Sequence, residues 1–131
     1  MLFAVGFLPY MLLFGALVVH VGSELALRRD LQGVAAAAAL ASVIELPESS
    51  AQAVNEAQSN AGANMDGLTS TVVTTDTDGT YHYVTVTVTK PNESLFGGFL
   101  EISPSTITAT AVARVLPPSL PGLDKEFFLY K

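Results

Sequence analysis

Residues 1–23 read MLFAVGFLPYMLLFGALVVHVGS and contain no Asp, Glu, Lys or Arg. All eighteen acidic and basic residues of the 131-residue chain lie from Glu24 onward. A bilayer core takes about 20 mostly apolar residues in a helix, and this run is long enough. Three readings compete for it. A cleaved secretory signal carries a basic n-region and a small-x-small cleavage site, and neither is visible. A core helix of a soluble domain needs cover on every side, and the roughly 100 remaining residues are too few to give it. A helix inserted in a membrane or buried in a filament fits the composition.

Orientation stays open. Arg28 and Arg29 follow the apolar run, and the positive-inside rule read literally places the C-terminal side in the cytoplasm. They are interleaved with Glu24 and Asp30, which weakens that signal. A mature product whose short basic leader has been removed is the second explanation, and such a leader is expected in the encoded precursor.

The helical pattern continues past the apolar run. In ELALRRDLQGVAAAAALASVIEL, Leu27, Leu31, Val34 and Ala38 recur at spacings of four, three and four, the period of one helix face. Ala35 to Ala39 is an unbroken Ala run, the best intrinsic helix former. Pro9 predicts a kink, and Pro47 ends the helix. A helix over residues 1–46 is about 70 Å long at 1.5 Å per residue, twice a bilayer core, so its distal half must pack on something else.

Ser49 with Gln52 three residues on resembles a capping box. AQAVNEAQSNA is therefore a second, short helix, with Gly62 as its candidate C-cap. From Leu68 to Val115 the chain is rich in Thr and Val. Tyr81 to Thr89 alternates, with His82, Val84, Val86 and Val88 on one face and Tyr and Thr on the other, as a half-buried antiparallel strand requires. TSTVVTTDTDG precedes it, and Asp78-Gly79 is a hairpin signal. STITATAVARV is a further strand with Ile107, Ala109, Ala111, Ala113 and Val115 on one face. Between these strands NESLFGGFLEISP is a connection with an apolar loop, bent at Gly97-Gly98. The fold class is α+β: a long N-terminal helix, a short second helix, an antiparallel sheet of three to four strands, and an extended arm. Three parts are expected: residues 1–46, the helix; 47–116, a small α+β domain; and 117–131, a Pro-rich arm ending in an aromatic cluster.

Composition excludes several functions. No Cys is present, so there is no disulfide framework, thiol nucleophile, zinc-thiolate site or iron–sulfur cluster. Six basic residues against twelve acidic ones argue against nucleic acid, whose phosphates need clustered Lys and Arg. His20 reads as an interfacial polar tip within reach of Ser23 or Glu24, and His82 as a partly buried strand residue. Neither spacing implies a triad or a metal site. Asp76-x-Asp78-Gly79 lacks the remaining ligands of a Ca²⁺ loop and reads as a hairpin tip. No enzyme, cofactor or metal is expected. Glu24 and Arg28 are spaced for an intrahelical pair or for a pair between subunits. Asn92-Glu93-Ser94 matches the N-glycosylation acceptor pattern.

The layout resembles the TadE/TadG-like proteins of the Flp, or tight adherence, pilus system, within the type IV filament class. LFAVGFLPYMLLFGALVVHVGSELALRRDLQGVAAAAALA is similar to that family's membrane helix. YHYVTVTVTKPNESLFGGFLEISPSTITATAVARV is similar to its closing sheet, and AQAVNEAQSNAGAN to its short helix. The likeness covers residues 1 to about 116. It departs where type IV pilins carry an acidic residue near the start of the mature helix, since Val5 stands at the fifth position. The resemblance implies a structural subunit, a pilin, of an extracellular pilus, polymerising through a helix core that includes Leu2, Phe3, Phe7, Leu12, Phe14, Leu17 and Val18. The alternative it implies is a membrane-anchored pseudopilin that assists assembly. Partners are then further copies of the chain, the membrane before assembly and the pilus machinery. Candidate intersubunit contacts are Glu24, Arg28, Phe127, Phe128 and Tyr130, with Asn92 the candidate glycosylation site.

Overall fold

The computed structural model describes residues 2–46, 48–79, 81–93 and 103–115, without the side chains of residues 2–4. The elements are α1 (Leu2–Val43), α2 (Ser50–Asn64), β1 (Ser70–Thr77), β2 (His82–Asn92) and β3 (Ser105–Val115). The expected α+β class holds, with three strands among the described residues. Pro47, the apolar connection around Phe96 and Phe99, and the arm 117–131 lie outside them.

Helix α1 is a single element of 42 residues that contains Pro9 and does not end there. A Pro in that position removes one backbone donor and leaves the rest of the ladder intact. The helix closes three residues before the expected end. The N–H of Glu45 bonds the Ser42 carbonyl at 3.1 Å and that of Leu46 the Val43 carbonyl at 3.3 Å, the tighter i→i+3 turns common at helix termini. Ser49 then caps α2, its hydroxyl accepting the Gln52 N–H at 3.2 Å.

Gly62 is not the C-cap of α2. The helix continues to Asn64 and Met65 is the cap, its N–H bonding the Ala61 carbonyl at 3.1 Å. The left-handed glycine comes later, at Gly67 with φ +73°, where the chain turns into β1. There the Lys90 ammonium holds the Asp66 carbonyl at 2.7 Å.

The sheet order is β1-β2-β3, antiparallel throughout. Thr77 pairs with His82 and Ser70 with Thr89, while His82 pairs with Val115 and Asn92 with Ser105. The Asp-Gly signal falls in the connection between β1 and β2, directly after Thr77. Asp78 follows the ladder, its N–H bonding the Tyr81 carbonyl at 3.2 Å, and Gly79 has φ +86°.

One face of the sheet carries Val84, Val86, Val88, Ile107, Ala109 and Ala113, all buried against α1 residues Leu31, Val34, Ala35, Ala38, Ala39 and Val43. Leu27 packs at the rim of this core. Helix α2 adds Ala53, Ala57 and Ala61, whose spacing of four presents methyl groups alone along one face and so permits close helix approach. Burial of Leu31, Val84, Val86 and Val88 stabilises the fold by about 1.5–3 kcal/mol for each side chain. The opposite sheet face is Thr-rich. Thr87 and Thr110 share a hydrogen bond of 3.0 Å, and Thr89 and Thr108 one of 3.2 Å.

Candidate functional site

Among the described residues, most of the exposed large apolar side chains lie in the first half of α1. Phe7, Leu12, Phe14, Leu17 and Val18 are all exposed, from 56% for Leu17 to 69% for Phe14. Leu2 and Phe3 lie in the helix, but their side chains are outside the described residues. Tyr10, Met11 and Leu13 are exposed as well, so the apolar surface runs round the helix. Gly6 and Gly15 lie in the same stretch, and a Cβ built on either meets nothing within 4 Å. By length and composition α1 is long and apolar enough to cross a membrane. The chain's own domain begins to cover α1 at Leu27. The two halves of one helix therefore have different surroundings, set by where the sheet sits.

The charges mark that boundary. Glu24 is half-buried, while Arg28, Arg29 and Asp30 are exposed, and no intrachain ion pair joins Glu24 to Arg28 among the described residues. One turn earlier, Ser23 spends its hydroxyl on the His20 carbonyl at 2.8 Å. His20 is half-buried. Arg29 and Asp30 rim an open groove floored by Gly33, Val34, Ala37 and Met65.

Other singled-out residues lie elsewhere. His82 lines an open cavity of about 320 Å³ with Leu46, Ser50, Thr75, Asp76 and Thr77. Among the described residues no group of three His, Asp or Glu side chains is placed to hold a metal ion. Asn92 ends β2 and is 6% exposed, and its Nδ2, the atom a glycan would occupy, is buried without a hydrogen-bond partner. Phe127, Phe128 and Tyr130 lie outside the described residues.

The hairpin tip holds a cluster that sequence reading did not single out. Arg114 lies over the Tyr81 ring at 5.3 Å, and the Tyr81 and Tyr83 rings are 6.4 Å apart. Tyr83 donates to Asp78 at 2.6 Å. That hydrogen bond, desolvation and the Asp78 charge raise the Tyr83 phenol above its ordinary value, with Arg114 opposing. Tyr83 and Arg114 are 31 positions apart in the sequence and meet only through the β2–β3 register.

An apolar helix long enough for a bilayer thus continues into a small α+β domain. Residues 1–53 are similar to a family described as putative Flp pilus-assembly TadE/G-like, and over that stretch the TadE/TadG-like resemblance seen in the sequence is borne out. The match points to Tad pilus assembly, and with the apolar α1 to association with a membrane or pilus. No curated protein and no solved structure matches the chain.

Proposed function

We propose that the chain is a pilin, a structural subunit that polymerises through the first half of α1 into an extracellular pilus. The observation that supports this is the continuous apolar surface of residues 5–21 on a helix that runs without a break into the folded domain. In a bilayer, lipid covers that surface. Outside the bilayer, only other helices of the same kind can, and identical copies supply them. The chain then divides into a core helix (1–46), a solvent-facing domain (47–116) and a C-terminal arm (117–131). In that arm Phe127, Phe128 and Tyr130 latch onto a neighbouring subunit. Glu24 and Arg28, unpaired with each other, are free to pair between copies. Phe7, Leu12, Phe14, Leu17 and Val18, with Leu2 and Phe3, form the packed core.

The second reading is a pseudopilin that remains in the bilayer and assists assembly. It meets the same exposed surface with lipid alone. Electron microscopy of material sheared from the cell surface, with mass spectrometry of its N-terminus, separates the two. Long fibres containing this chain support the pilin. Its recovery solely from detergent-solubilised membranes, with fibres lacking it, supports the pseudopilin.

A further inference from the structure

Among the described residues no further strand pairs with either edge of the sheet, and the properties of the two edges match. β3 is an edge of 11 residues and β1 an edge of eight. No charge lies between Ser70 and Thr75, or between Thr106 and Val112. Edges of this kind, without Lys, Pro or bulges, are templates for pairing with another chain. Among the described sheet residues, Val72 on β1 and Val112 on β3 are the exposed large apolar side chains, at 53% and 63%. Their partners in β2 are Thr87 and Thr85, so both stand on the Thr face away from α1.

Direction limits what can add to these edges. β1 and β3 both run antiparallel to β2 and so run parallel to each other. Copies anchored through α1 in one bilayer all point the same way. A copy displaced across the strands without rotation brings its β1 edge to the β3 edge of the first. In that arrangement the two strands are parallel and can pair.

The backbone parity allows this. The Thr110 carbonyl accepts the Gln32 side-chain amide at 3.1 Å, so it points off the sheet, and the even-numbered residues of β3 present their backbone groups to the free edge. Directly after β1 the Asp78 N–H points inward to Tyr81, so by alternation the odd-numbered residues Thr71, Val73 and Thr75 face outward. A parallel ladder bonds each outward residue of one strand to the two neighbours of its opposite number. Val112 opposite Val72 therefore bonds Thr71 and Val73 and sets both Val side chains on the same face. Thr110 exchanges the Gln32 amide for the Thr71 N–H, and Arg114 stands diagonal to the neighbouring copy's Asp76, within reach of a long side chain.

We propose that neighbouring copies join their sheets edge to edge, β3 of one to β1 of the next, with Val112 against Val72. The proposal rests on the assembly reading above, which makes the copies co-directional. The contact is heterologous, and such contacts repeat into rings or open helical filaments rather than closing as a dimer.

The test uses the full chain, which has no native Cys. Copies carrying Val72→Cys and copies carrying Val112→Cys are co-expressed, and membranes and sheared fibres are oxidised separately. The expected product is the mixed disulfide, in excess of its statistical share over the two like-with-like products, with a ladder of multimers from the double variant. Thr85→Cys on the central strand should give none. A mixed product at or below the statistical share overturns the sheet junction. If fibres form without it, the pilin reading stands and the junction falls. If the ladder forms in membranes of cells that make no fibres containing this chain, the junction stands and the pilin reading falls.

Discussion

The phenol of Tyr83 donates to Asp78 Oδ2 at 2.6 Å while Asp78 Oδ1 accepts the Tyr81 N–H at 2.7 Å. A single carboxylate just past β1 thus holds the Tyr81 backbone at the entry to β2 and the Tyr83 side chain within it. Asp78→Ala removes both acceptors. Amide exchange at Tyr81 should then accelerate, while the amides of Val86 and Val88, deep in the sheet, keep their protection. Hydrogen exchange on the full chain in detergent measures both, and unchanged protection at Tyr81 would count against the clamp.

The same pair sets a pH limit. A phenol raised in the folded state favours folding fully below the ordinary tyrosine value of about 10, and that contribution is lost as pH rises through the folded value. The hairpin should therefore loosen in strong alkali, above about pH 10. Titration of phenolate absorbance should show one late component, which Tyr83→Phe removes. A titration in which Tyr83→Phe deletes an ordinary component instead would refute the shift.

Legibility tracked how local each signal was. The alternation of Tyr81 to Thr89 and of Ser105 to Val115 placed two strands and their buried faces, because the period of two is written in consecutive residues. Ser49 was readable as a cap for the same reason. Gly62 misled, because a glycine near the end of a helical pattern serves equally as an interior residue, and the choice fell to where the chain next turns, at Gly67. The Tyr81–Arg114 stack and the Gln32–Thr110 bond were invisible, since each depends on strand register or on how α1 lies over β3. The exposed half of α1 was legible from composition alone.

The two glycines at issue should respond in opposite ways. Gly62 lies inside α2, and a Cβ there meets nothing within 4 Å, so Gly62→Ala should stabilise the fold by about 0.5–1 kcal/mol. Gly79 has φ +86°, and Gly79→Ala should cost roughly 1–2 kcal/mol through strain. Thermal unfolding of both variants checks this. Destabilisation by Gly62→Ala would restore its assignment as a cap.

In the core, Leu31 is fully buried on the α1 face that meets the sheet. Leu31→Ala should destabilise by about 2–5 kcal/mol. Ala57 is also fully buried, on the α2 face that joins the core. Ala57→Leu should cost about 1–3 kcal/mol by overpacking. Leu40→Ala, at an exposed position of the same α1 segment, should do little. Chemical denaturation compares the three, and an effect of Leu40→Ala equal to that of Leu31→Ala would mean the wrong face of α1 has been taken as the core.

The strongest demand falls on the first half of α1. Gly15 and Leu12 lie in the charge-free run, where the domain offers no cover. A charge at the centre of an apolar span costs about 2.5–3.5 kcal/mol on insertion scales. Leu12→Asp and Gly15→Arg should therefore reduce membrane insertion, or permit insertion and block fibre formation. Gly15→Ala adds a methyl without charge and tests whether close helix approach at that point matters by itself. Surface fibre yield and membrane fractionation are read together for all three. Loss with the charged variants alone identifies an apolar surround as the requirement. Loss with Gly15→Ala as well identifies tight helix–helix packing, the condition of a filament rather than of lipid. Normal fibre yield from Leu12→Asp and Gly15→Arg would remove this helix from the assembly core.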